Sequence, residues 1–208
     1  MATVATGLSI RRHFEDGRRL LETAQSALLA GEADRAAADF AGARQAFLRA
    51  QEEPGIILLR IEGLLPFVGR TPEALVSLSR MGARVAGAGA EVSLGVARLP
   101  GGLSSLGIAG GRFPVKSLRT LAPFVRRARV ALDSAAGDAA RLPDSWVLGP
   151  VAEASDLIRE RLADTVPLAR SADALLSSLP LFAGQGREAR YFVAAQNSAE
   201  LRGTGGLK

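Results

Sequence analysis

The sequence predicts a mainly α-helical fold, a bundle of antiparallel helices closed by a short C-terminal strand or extended tail. Three observations carry that expectation. Hydrophobic residues make up 48% of the 208, but aromatic residues only 5%. The core is therefore built from Ala, Leu and Val, the palette of packed helices rather than of sandwiches and barrels. Apolar residues in the first quarter of the chain recur at alternating steps of four and three, which places them on one helical face. Pro54-Gly55, Pro100-Gly101-Gly102 and the stretch from Pro143 to Pro150 separate the longer periodic segments.

Residues 8–53 read as a helical hairpin. Ile10, Phe14, Gly17, Leu21, Ala24 and Leu28 form the outgoing seam, Gly31-Glu32 the turn, and Ala36, Phe40, Ala43, Phe47 and Ala50 the returning seam. Two seams joined by a short turn face each other most easily as an antiparallel pair. A short apolar segment from Ile56 to Leu65 follows and is closed by Pro66. Thr71-Pro72-Glu73 is a helix start, with a capping hydroxyl, a proline at the first helical position and an acid in the first turn. The helix it opens, 72–99, contains Gly82, Ala83, Ala86, Gly87 and Ala90. Side chains this small admit a neighbouring backbone closely, so this helix is expected at the centre of the bundle. Further helices are predicted over 120–141, with Pro123 in the first turn, and over 151–178, bent at Pro167. Residues 1–186 thus form the bundle. After Pro180 the character changes: Tyr191-Phe192-Val193 reads as the start of a strand, and 187–208 as the opening of a truncated α/β unit.

The same sequence excludes several chemistries. There is no cysteine and one histidine, His13, so disulfides, thiolate nucleophiles and zinc sites built on several His or Cys ligands are ruled out. No apolar run reaches the ~18 residues that a membrane helix needs; Arg80, Arg84, Glu91 and Arg98 interrupt the longest candidate. Arg11 and Arg12 follow the first apolar residues instead of preceding them, unlike a signal peptide. Gly102 and Gly107 have the spacing of a phosphate-binding loop, but Ile108-Ala109 stands where Lys-Ser or Lys-Thr is needed. Gly184-Gln185-Gly186-Arg187-Glu188-Ala189 fits a dinucleotide fingerprint by letters but precedes the predicted strand rather than following one. His13, beside two arginines, reads as a solvated surface residue. No catalytic residues, metal ligands or cofactor are assigned.

The formal net charge is +5, with most of the excess in the second half. Lys116, Arg119, Arg126, Arg127 and Arg129 cluster without an acid before Asp133. On a helical projection most of them fall opposite Leu118, Leu121, Phe124, Val125, Ala128 and Leu132. The functional reading is a basic surface for anionic lipid headgroups or an anionic wall polymer; the ordinary one is an arginine-rich solvent face, and it carries more weight. Nucleic acid is not expected, because no aromatic residues interleave with the arginines.

Residues 190–207, Arg-Tyr-Phe-Val-Ala-Ala-Gln-Asn-Ser-Ala-Glu-Leu-Arg-Gly-Thr-Gly-Gly-Leu, resemble the hallmark of a bacterial family known as domain of unknown function four thousand and twelve. Gln196, Asn197, Glu200, Arg202, Thr204, Gly205 and Gly206 occupy the places of its signature, which spans under a tenth of the chain. The resemblance implies a membrane-anchored protein of the cell envelope, on the extracytoplasmic face, with a membrane helix before the bundle and a mixed α/β portion after the Gly-Gly turn. It supplies no reaction. In chemical terms, Glu200 and Arg202 alternate along an extended chain and point to one side, while the glycines offer backbone N–H groups to an anion. Asn197, Glu200, Arg202, Thr204, Gly205 and Gly206 are therefore a candidate anion site, weighed against a structural ion pair and turn.

Three functions follow as expectations. The first is a non-catalytic helical scaffold or interaction domain of an envelope protein, meeting an anionic lipid, a wall polymer or another protein. The second is a fragment of an enzyme acting on phosphate-linked envelope polymers, its catalytic part lying beyond Lys208. The third is a soluble helical module that docks a partner through residues 8–53.

Overall fold

A computed structural model describes residues 2–52, 71–107, 114–142, 149–183 and Arg190. Among them are five α-helices: α1 (Ala2–Leu29), α2 (Ala33–Glu52), α3 (Thr71–Ala97), α4 (Val115–Ala139) and α5 (Gly149–Phe182). A 3-10 turn, Gly102–Leu106, follows α3 inside the predicted loop. The described residues hold no strand, and they form the mainly α bundle that composition and periodicity predict. Trp146, the expected strand at Tyr191 to Val193 and the tail after it lie outside the described residues.

The helices pack in chain order, each mainly on the next, with α3 between α2 and α4. α1 rests on α2 and α5 on α4, and both touch α3 only lightly. Two antiparallel pairs, α1/α2 and α4/α5, thus flank one central helix.

The α1–α2 turn is closed by local chemistry. Gly31 has φ +83°, a left-handed conformation that costs a glycine little. Its N–H donates to the Leu28 carbonyl at 3.1 Å, and the Glu32 N–H donates to Ala27 at 2.9 Å. Those bonds satisfy carbonyls that the end of α1 leaves without partners. The two predicted seams then meet: Ile10, Gly17 and Ala24 are buried on α1, and Ala36, Phe40, Ala43, Phe47 and Ala50 on α2.

The small residues of α3 do what their size predicts, because two rings of α2 press into them. A β-carbon on Gly82 would lie 2.8 Å from Phe47, and one on Gly89 would lie 2.5 Å from Phe40. Phe47 also closes on Gly17 of α1 and meets Phe14 edge-on, with ring centroids 5.9 Å apart. One ring therefore locks three helices. Burying a phenylalanine contributes on the order of 1.5–3 kcal/mol, which offsets the roughly 1 kcal/mol of helix propensity that each interior glycine costs.

Two helix boundaries differ from the sequence expectation. α4 begins at Val115, directly after Pro114, rather than at Thr120. The extra turn places Leu118 in the buried cluster with Leu121, Val125, Val96 and Leu176. Pro123 consequently sits inside the helix and not in its first turn. Its missing N–H would have bonded the Arg119 carbonyl, and both residues are exposed, so the lost bond falls on the solvent side of the helix, where it costs least. α5 runs past Ser178 and through Pro180 to Phe182, held by Leu176 and Leu179 against the same cluster.

Candidate functional site

The two sides of α3 present different surfaces. On one, α1 and α5 are not packed closely on each other, and an apolar cleft lies between them. Its first section, about 500 Å³, is lined by residues including Phe14, Leu78, Val85, Leu157 and Leu162, with Glu15, Arg18 and Arg161 the charged residues. Through Leu21, Val85, Leu132 and Thr165 it adjoins a second section of about 570 Å³, which reaches Leu28 and Ala172 and is lined by no charged residue.

On the other side, α2, α3 and α4 enclose a groove of about 780 Å³. Its floor includes small residues, Gly42, Ala83, Gly87 and Ala90. Four arginines, Arg44, Arg80, Arg84 and Arg127, line it with a single acid, Glu91. Arg84 donates to Asp138 Oδ2 at 2.5 Å and to the Ser134 carbonyl at 2.7 Å. Arg127 donates to Glu91 at 2.8 Å and its guanidinium lies 4.5 Å from the centre of the Phe124 ring. Arg44 and Arg80 have no hydrogen bond or ion pair among the described residues.

A third charged assembly joins α4 to α5. Arg129 donates to Asp173 at 2.8 Å and to Asp133 at 2.6 Å. Asp133 also accepts from Arg170 at 2.9 Å, and Arg126 Nε lies 3.5 Å from the buried Asp173 Oδ1. The hydrogen bond to Asp173, above all, raises the Arg129 pKa from its ordinary value, with Asp133 adding to the effect. Arg159 completes the joint by donating to the carbonyls of Ala139 and Leu142 at the end of α4.

The structure pairs three of the five basic residues read from the sequence with acids, while Arg126 and Arg127 remain 61% and 51% exposed. Arg126 and Arg129 turn to acids on α4 and α5, and Arg127 turns to α3. Lys116 and Arg119 stay exposed on the first turns of α4, without an ion pair among the described residues. The candidate anion site at Asn197, Glu200, Arg202, Thr204, Gly205 and Gly206 lies outside the described residues. His13 is half-buried on α1 rather than fully solvated. The described residues hold no group of His, Cys, Asp and Glu able to bind a metal, and no described helix is long and apolar enough to cross a membrane.

The groove itself escaped the sequence reading. Arg80 and Arg84 registered only as interruptions of an apolar run, and Arg44 lies two helices away from Arg127 in the chain. The available signal was the pairing of Arg80 and Arg84, one turn apart, with the small residues Ala83 and Gly87 on the same side.

No family model, no curated protein and no solved structure matches this chain.

Proposed function

We propose that the chain is a non-catalytic helical scaffold or interaction domain. The observation that supports this reading is how its carboxylates are used. Asp138 is buried against Arg84 of the neighbouring helix, and Asp133, Asp173 and Glu91 each join two helices through an arginine. Acids committed to holding helices together are poorly placed to exchange protons with a substrate. The apolar cleft likewise has charged residues only in its first section.

Thermal unfolding of Asp133→Asn, Asp138→Asn and Asp173→Asn variants tests the proposal. A scaffold loses stability in all three. A variant that keeps or gains stability would mark a carboxylate maintained for chemistry at the expense of the fold, and the scaffold reading would fail.

The setting we propose, a membrane-anchored bacterial envelope protein, rests on the resemblance of residues 190–207 alone. Cell fractionation of a tagged native gene product tests it separately. Recovery in the cytoplasmic fraction would remove the envelope setting and leave the scaffold standing.

A further inference from the structure

The groove between α2, α3 and α4 is strongly one-signed, with four guanidinium groups against one carboxylate. Its arginines divide into two kinds. Arg84 and Arg127 are fixed by Asp138, Ser134, Glu91 and Phe124. Each still has unused N–H donors, since a guanidinium carries five. Arg44 and Arg80 are unpaired among the described residues, yet they line the same space. On the α4–α5 side, by contrast, Arg126, Arg129 and Arg170 all have carboxylates facing them.

Arg44 is exposed, and its stem lies beside Gly87 of α3: a β-carbon built there would be 3.8 Å from Arg44 Cδ, an ordinary contact distance that keeps the guanidinium at the groove. Gathering like charges over a small-residue floor raises the energy of the empty protein and is relieved by an anion.

We propose that this groove binds a compound carrying two or more phosphate groups, either free in solution or as a lipid headgroup. Three features select that chemistry. The planar guanidinium fork matches phosphate oxygens in pairs. From Arg80 to the level of Glu91 and Arg127 the charged wall extends roughly 16 Å along α3 by helical rise, more than one phosphate spans. No aromatic side chain lines the groove, so bases have no stacking platform and a nucleic acid strand is disfavoured. Leu48 and Leu94 on the walls suit a ligand with an apolar portion next to its phosphates. The inference does not depend on the scaffold reading, since a phosphate site serves an enzyme equally well.

The test uses the full chain, inorganic pyrophosphate by titration calorimetry at low salt, and flotation with vesicles of phosphatidylcholine with or without a diphosphate-bearing lipid. Two double variants are compared, Arg44→Gln/Arg80→Gln in the groove and Lys116→Gln/Arg119→Gln on α4. Both remove two positive charges that have no ion pair among the described residues, so neither should unfold the bundle; thermal unfolding verifies this. The expected result is pyrophosphate binding weakened about tenfold or more by the groove variant and changed less than about twofold by the α4 variant. Binding confined to the diphosphate vesicles, with the same dependence on the groove, assigns the lipid-borne source. Equal weakening by both variants, or no binding of either probe by the unmodified chain, overturns the proposal.

Discussion

The two helix pairs that flank α3 are held by different forces. The α1/α2 pair docks by shape. Phe40 and Phe47 fill hollows over Gly89 and Gly82, and the ion pairs within α1 are largely exposed and join no second helix. The α4/α5 pair is joined by charge as well, through Arg129, Asp133, Asp173 and Arg170 and through Arg159 on the end of α4. Aromatic residues are scarce in this chain, and both rings of α2 are spent on one seam. α4 likewise seats Leu121 and Phe124 over Gly95 of α3; between α4 and α5, arginine–carboxylate pairs add to the apolar contact and supply the registration. Buried pairs of this kind contribute modestly to stability but strongly oppose the loss of one partner.

The largest expected effect is on the aromatic side. Phe47→Ala removes the ring shared by α1, α2 and α3 and should cost about 3–5 kcal/mol, read from denaturant unfolding. Gly82→Ala alone should cost about 1–3 kcal/mol, because the added methyl meets Phe47. Combined with Phe47→Ala, the same substitution should become stabilising, as the helix-propensity gain of roughly 1 kcal/mol is then unopposed. Additive behaviour of the two would show that the ring and the glycine are not coupled, and the shape-based half of the comparison would be lost.

Next in size is Asp173→Ala, expected to cost about 1–3 kcal/mol because Arg129 loses its hydrogen bond and Arg126 its nearest acid. What separates it from Phe47→Ala is salt. Raising the ionic strength to about 1 M screens the more exposed guanidinium partners, Arg126 above all, although Asp173 itself is only 15% exposed, so the difference between Asp173→Ala and the unmodified chain should narrow in part. That between Phe47→Ala and the unmodified chain should not. Equal salt response in both variants would erase the distinction between the two pairs.

The same contrast explains what was legible in the sequence. The seams of α1 and α2 repeat with the helical period, and the turn has a glycine where a left-handed residue is required; local rules therefore predict the hairpin. The small residues of α3 announce a central helix, although not which rings would enter it. The α4–α5 joint left no such trace. Asp173 lies more than forty positions from Arg129, and nothing local says that they meet, so the arginines of α4 read as a free basic face. The phosphate groove was hidden for the same reason, since its four arginines come from three helices. Leu118 shifted the start of α4 because a buried leucine outweighed the signal of Pro123, which is tolerated in the interior on a solvated face. The tail from Tyr191 onward, which carries the other candidate anion site, lies outside the described residues.

Arg159→Met sharpens the charged side further. The methionine keeps much of the apolar stem but cannot donate to Ala139 and Leu142, whose carbonyls lie at the negative end of the α4 dipole. The expected loss is about 1 kcal/mol, observed as a lower Tm. The structural readout is faster hydrogen exchange in the last turn of α4, with α1 and α2 unchanged. Exchange that quickens equally in all helices would mean that Arg159 supports the whole bundle rather than one helix end.

The smallest expected effect is on a pair that looks much like the others in a distance table. Arg18 Nε lies 2.9 Å from Glu22 Oε1, but the two side chains are 80% and 64% exposed. Asp173, at a similar distance from Arg129, has a side chain only 15% exposed. Water and salt already satisfy Glu22, and ordering two long side chains costs entropy that the exposed attraction barely offsets. Glu22→Gln should therefore change stability by less than about 0.5 kcal/mol. The comparison of the two helix pairs depends on this result, because it separates charge as decoration from charge as a joint. A loss at Glu22 as large as that at Asp173 would show that α1 is also held by its ion pairs, and burial would no longer be what distinguishes the two sides of the bundle.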